Sequence, residues 1–138
     1  MNARIGPFQL LRPLGRGAMA TVFEAQHSET GLPVAFKVVR GEERYAVSLA
    51  DEIRAVAAME HRAIVGVFDQ GTLPLPLPDA ESPLPKGSPW LAMELAQGTV
   101  RDLGLPLPWD RAKAVLMEVL DGLAHAHARG VVHCDLKP

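Results

Sequence analysis

Along residues 8–39 apolar side chains fall into short runs broken by turn residues: Phe8-Gln9-Leu10-Leu11, Thr21-Val22-Phe23-Glu24-Ala25 and Val34-Ala35-Phe36-Lys37-Val38-Val39. Runs this short, rich in β-branched and aromatic residues, predict strands. Gly15, Gly17 and the Glu29-Thr30-Gly31 turn separate them by gaps too short for helical crossovers, so the strands form an antiparallel meander. Over residues 47–60 the period changes: Leu49, Ile53 and Val56 recur at helical intervals without Gly or Pro, which predicts one amphipathic helix. Val65-Gly66-Val67-Phe68 and Trp90-Leu91-Ala92-Met93 read as two further strands. A second helix is predicted over residues 109–129, with Ala112, Leu116, Val119, Leu123 and Ala126 in a stripe and Gly130 as its stop. The fold class is α+β: a five-stranded antiparallel sheet with one helix, then an α-rich segment.

Six of the 12 prolines, at positions 74, 76, 78, 83, 85 and 89, lie between the last two strands. Proline lacks the N–H that a sheet ladder needs, so residues 73–89 form a surface insertion. A semi-rigid hairpin is the plainer reading, and a polyproline ligand for a partner is the alternative.

Composition narrows the function classes. With 14 Lys+Arg against 16 Asp+Glu the formal charge is −2, and no basic run exists, so nucleic acid is not an expected partner. The single cysteine, Cys134, excludes an intramolecular disulfide and fits a reducing compartment. The first residues lack the apolar core of a signal peptide, and no apolar run is long enough to span a membrane, so a cytoplasmic protein is expected.

Three segments carry candidate chemistry. Gly15-Arg16-Gly17-Ala18-Met19-Ala20 fits a glycine-rich phosphate loop with alanine in the third glycine position. β-Type sequence on both sides argues for a strand-loop-strand flap instead of a dinucleotide-binding turn, and an ordinary hairpin is the bland alternative. Lys37 sits inside an otherwise apolar strand, where an unpaired ammonium is costly to bury. Glu52, between Leu49 and Ile53, is expected on the apolar face of the first helix, where it would pair with Lys37. A rim glutamate and a surface lysine that never meet are the alternative. Finally, His133-Cys134-Asp135-Leu136-Lys137 follows a capped helix and the two-valine strand Val131-Val132. An aspartate there could orient a hydroxyl while a lysine two residues on neutralises a transferred phosphate.

In this order, from about residue 8 to residue 138, the segments resemble the eukaryotic-type serine/threonine protein kinases, particularly the bacterial members. The resemblance implies a kinase small lobe and hinge over residues 1–96 and the start of the large lobe over residues 97–138. It implies that Leu14 contacts the nucleotide, that Gly15, Gly17 and Ala20 cover the ATP phosphates, that Lys37 contacts the α and β phosphates, and that Glu52 pairs with Lys37. Val22 and Ala35 would enclose the adenine, Met93 would be the gatekeeper, and Glu94, Leu95 and Ala96 the hinge. Asp135 matches the catalytic base and Lys137 the lysine that steadies the γ-phosphate. His61-Arg62-Ala63-Ile64-Val65 matches the turn after the first helix.

The implied cofactors are ATP and Mg²⁺, and the implied partner is a protein bearing a serine or threonine hydroxyl. The sequence departs from the family at Ala20 and in the spacing from Lys37 to Glu52, 15 positions (52 − 37). The family's Mg²⁺ ligands would lie beyond Pro138, so the chain alone is expected to be inactive. A truncated kinase-like interaction module and a gene fragment remain the rival readings. An exposed stripe of Leu116, Val119 and Leu123 would favour self-association. Cys134 stands where regulated members carry an arginine, which implies that a full-length version is active without activation-segment phosphorylation; that it simply fills a small apolar space is the bland alternative.

Overall fold

The structure, a computed structural model, describes residues 3–41, 46–134 and 136–137, with residues 46–49 described by backbone alone. It divides into two compact units, residues 1–57 with 67–95 and residues 58–66 with 96–138.

The first unit is built on a six-stranded antiparallel sheet: β1 (Arg4–Ile5), β2 (Phe8–Arg16), β3 (Ala20–His27), β4 (Pro33–Val39), β5 (Val67–Thr72) and β6 (Pro89–Glu94), in the order β1-β2-β3-β4-β6-β5. β1 is the strand the periodicity did not announce. Two residues are too few to show alternation, but Gly6-Pro7 is a turn pair, and Gly6 takes φ +55°, a conformation that suits glycine. The turn lays Ile5 beside Phe8.

β2 does not run smoothly. Its register shifts between Leu10 and Arg12 and again between Pro13 and Gly15. A proline cannot donate to the ladder, and the irregularity around Pro13 accommodates it. Beyond the first shift the strand is largely exposed, so its glycine end projects from the core that holds Phe8 and Leu10.

From β3 onward the pleat separates two faces. Phe23, Phe36 and Ala92 are directly opposed across β3, β4 and β6, as are Thr21, Val38 and Trp90. All six are buried. With Phe8, Leu10 and Val34 they form the core, in which the Phe36 and Trp90 rings stack at 4.8 Å. Gly71 lies opposite Trp90, and a Cβ there would stand 2.8 Å from the Trp90 ring, so only glycine leaves room for the indole.

The proline-rich insertion completes this core. Leu77 and Leu84 exchange backbone hydrogen bonds at 2.9 and 2.8 Å, which folds the segment into a hairpin. Leu73, Leu77 and Leu84 are buried against the aromatic cluster, while Leu75 points to solvent. Each buried leucine contributes about 1.5–3 kcal/mol of apolar transfer.

Helix α1 (Ala46–Ala57) packs beside β5 and β6 and buries Ile53. The second unit contains a 3₁₀ turn, Val100–Leu103, and helix α2 (Trp109–His127). The Asp102 carboxylate accepts hydrogen bonds from the Thr99 amide and hydroxyl, and these hold it below the ordinary carboxylate pKa. On α2, Val119 and Leu123 are half-buried, contrary to the exposed stripe expected of them. The large apolar residues exposed on α2 are Trp109, Leu116, Met117 and Leu120. Val131 and Val132 form no strand; the Val131 amide instead donates to the Ala126 carbonyl at the end of α2 at 3.0 Å.

Candidate functional site

The sheet face opposite the core collects the residues singled out for nucleotide chemistry. Val22 on β3 opposes Lys37 on β4, which opposes Leu91 on β6; two residues along, Ala35 opposes Met93. Residues two apart on a strand share a face, so Val22, Ala35, Lys37 and Met93 stand together. Gly15 pairs with Val22, which places the glycine turn at the end of this face.

That turn is closed by the Gly17 amide donating to the Ala20 carbonyl at 2.8 Å. A Cβ on Gly15 would meet nothing within 4 Å, and one on Gly17 would meet only the Ala20 carbonyl at 3.6 Å. Neither glycine has a left-handed φ. The fold therefore does not itself require glycine at either position. What glycine provides there is a backbone with no side chain over it, the property that close approach of a phosphate needs, although the Gly17 amide itself is taken up by the Ala20 carbonyl. Leu14 and Met19 flank the turn and are exposed.

Lys37 is half-buried on this face. Glu52, expected on the apolar side of α1, is exposed instead. Ile53 is the residue α1 buries, and adjacent helical positions differ by about 100° around the axis, so burial of Ile53 turns Glu52 outward. Among the described residues no ion pair joins Lys37 to Glu52, and the expected pairing is not made in this structure.

At the end of β6, Met93 is half-buried and Glu94 exposed; Leu95 closes the first unit, and an exposed Ala96 opens the second. Near the other end of the chain, Lys137 is exposed, and Asp135 lies outside the described residues. Cys134 is exposed with φ +62°, so the bland alternative, that it fills a small apolar space, does not hold. A side chain in the left-handed region is held there at a cost of about 1–2 kcal/mol.

Two polar constellations were not legible beforehand. In the second unit, the turn His61–Ile64 packs on α2 at Gly122, where a Cβ would stand 3.3 Å from the Ala63 Cβ. The Arg62 guanidinium donates to the Asp121 carboxylate at 3.0 Å, His61 Nε2 lies 3.5 Å from the same oxygen, and His61 Nδ1 accepts the Ala63 amide at 3.0 Å. The hydrogen bond from Arg62 leads in holding the Asp121 carboxyl below its ordinary pKa. His125, 4.8 Å from the His61 ring, is pushed down by desolvation, with Arg129 and His61 adding repulsion against the attraction of Asp121.

In the first unit, Asp79 of the insertion accepts from Arg16 at 2.8 Å, Thr21 at 2.9 Å and Arg40 at 3.0 Å. Burial raises its pKa, but hydrogen bonds from Arg16, the Ala80 amide and Thr21, together with the Arg16 charge, outweigh this and hold the carboxyl below its ordinary value.

Comparison with known proteins identifies the family of the chain: the protein kinase domain family matches residues 8–138. The chain belongs to the protein kinase family. Over 144 aligned positions it is 38% identical to serine/threonine-protein kinase Pkn1 of Myxococcus xanthus, with the whole chain matched to 19% of that protein. It is 38% identical over 133 positions to serine/threonine-protein kinase PknL of Mycobacterium tuberculosis, covering 91% of the chain and 30% of the relative. With serine/threonine-protein kinase PknH of Mycobacterium bovis it shares 31% over 146 positions, the whole chain matching 22% of the relative. The chain thus spans less than a third of the length of these curated relatives, and its resemblance is to serine/threonine kinases.

Protein kinases work with ATP and Mg²⁺. The open glycine turn and the lysine on an apolar face fit a nucleotide. Among the described residues no group of three His, Cys, Asp or Glu side chains could hold a metal ion. Among the described residues, no helix is long and apolar enough to cross a membrane.

Proposed function

We propose that this chain carries the ATP-binding face of a cytoplasmic serine/threonine protein kinase, with the small lobe and hinge in residues 1–96 and the large lobe beginning at residue 97. The observation that supports this most strongly is the strand register that groups Val22, Ala35, Lys37 and Met93 beside an open glycine turn, with the core on the opposite face.

On this reading Val22 and Ala35 enclose the adenine, Met93 limits the depth of its pocket, and the backbone at Glu94, Leu95 and Ala96 hydrogen-bonds the base. The backbone from Gly15 to Ala20, under the cover of Leu14, approaches the phosphates, and Lys37 offsets their charge. Glu52 would meet Lys37 after α1 turns about its axis, which makes the helix a control point. In the reaction the substrate hydroxyl oxygen forms a bond to the γ-phosphorus as the bond to ADP breaks. The hydroxyl proton passes to the Asp135 carboxylate, and Lys137 balances charge on the transferred group. Mg²⁺, when bound, further neutralises the phosphates.

The test is transfer of labelled γ-phosphate by the full-length gene product to a generic protein substrate. Label on serine or threonine, lowered on the order of a hundredfold or more by Asp135→Asn, is expected. Absence of transfer, or transfer untouched by Asp135→Asn and Lys37→Met, would overturn the proposal.

A further inference from the structure

The insertion between β5 and β6 does more than fill space over the core. β5 is an edge strand, yet the insertion that leaves it reaches the loop ends of β2 and β3 on the far side of β4. Its tip is Asp79, whose side chain is 0% exposed despite its charge. Oδ1 accepts from Arg16 Nε and from the Ala80 amide, both at 2.8 Å; Oδ2 accepts from Thr21 Oγ1 at 2.9 Å and Arg40 Nη2 at 3.0 Å.

The partners are specific in position. Arg16 and Thr21 face each other across the two strands that the glycine turn joins. Arg40 touches the turn from a third direction, its own amide donating to the Met19 carbonyl at 2.8 Å, and its guanidinium also holds the Ser82 carbonyl and hydroxyl at 3.2 and 2.7 Å. Thr21 belongs to the core face of the sheet, so the carboxylate grips the turn from behind and leaves the nucleotide face open. Pro74, Pro76, Pro78, Pro83 and Pro85 stiffen the hairpin that carries Asp79, and Leu73, Leu77 and Leu84 anchor it.

We propose that Asp79 is a positioning residue for the glycine-rich turn: a buried carboxylate on the insertion ties Arg16, Thr21 and Arg40 together and so fixes where the turn's amides stand. The nucleotide consequence rests on the function proposed above, whereas the tie itself does not. Loss of the carboxylate charge leaves two guanidinium groups facing one another and releases the turn, with no contact to nucleotide lost directly.

The test compares Asp79→Asn, the gentler Thr21→Val and the control Glu81→Gln in the full-length protein, by amide hydrogen exchange without nucleotide and by steady-state kinetics. Asp79→Asn is expected to speed exchange over residues 15–21 by about tenfold and to raise the KM for ATP by a similar factor with kcat changed less than about threefold. Thr21→Val should do the same to a smaller degree, and Glu81→Gln neither. Exchange over 15–21 unchanged in Asp79→Asn overturns the tie. Faster exchange spread evenly over the whole sheet with KM unchanged shows a merely structural role and overturns the positioning role. A wild-type protein that neither binds nor uses ATP sinks the proposed function instead, while the exchange measurement still decides the tie.

Discussion

Truncating Leu84 to alanine tests whether the proline-rich insertion is part of the core or a loop lying on it. Leu84 is 0% exposed and sits among Phe8, Phe36 and Trp90 in the core cluster; Leu75, nine residues earlier in the same insertion, is 70% exposed. Leu→Ala in a packed core costs about 2–5 kcal/mol, the lost transfer of the side chain plus the cavity left behind. The hairpin has backbone hydrogen bonds on both sides of Leu84, so the site has little freedom to collapse, and about 3 kcal/mol is expected. For a chain of this size that lowers Tm by roughly 10 °C. Leu75→Ala, in solvent, should stay within about 0.5 kcal/mol of wild type. Urea unfolding followed by tryptophan fluorescence measures both variants, since Trp90 lies in the same cluster. Equal stabilities of Leu84→Ala and Leu75→Ala would refute the view that the insertion is core.

Gly71→Ala, whose Cβ would stand 2.8 Å from the Trp90 ring, should cost about 1–3 kcal/mol and shift the tryptophan emission, as read in the same unfolding experiment. Cys134→Gly should leave stability unchanged or raise it by up to about 1 kcal/mol, because φ +62° suits glycine, whereas Cys134→Val should lower it in thermal melts. Asp79 and Asp121 both titrate below their ordinary 3.8 when folded, so the unfolded chain binds more protons and their stabilisation, present above that value, is lost as pH falls through the acid range. His125 is also lowered, from 6.5, so its contribution is present above that value and is lost as pH falls below it; Asp121→Asn should flatten the acid limb of a stability–pH curve and His125→Gln the limb just below 6.5.

Most of the sheet was legible because its strands announce themselves by composition and spacing. Phe23, Phe36 and Trp90 predict buried positions, and Gly31 with φ +71° closes the β3–β4 turn where Glu29-Thr30-Gly31 marked one. β1 was missed because two residues carry no period. The orientation of Glu52 is not readable from the sequence, because apolar neighbours on a helical wheel fix a face only to within a residue, and Ile53 takes the buried place. Asp79 was invisible for a different reason. A carboxylate in a proline-rich loop normally faces water, and its three partners lie 63, 58 and 39 positions away, so only the folded chain brings them together. The same holds for Asp121 and His61, which meet because Gly122 lets the turn approach α2.

The proposed function puts an adenine nucleotide on one face of the sheet, with the core on the other. Backbone amide NMR of the isotope-labelled protein, titrated with ADP or a non-hydrolysable ATP analogue, addresses it directly. Saturable shifts are expected at residues 15–22, 35–37 and 93–96, abolished by Lys37→Met, with Leu77 and Leu84 on the core side unmoved. Shifts confined to the insertion and the core side, or no saturable shifts at the glycine turn, would contradict it.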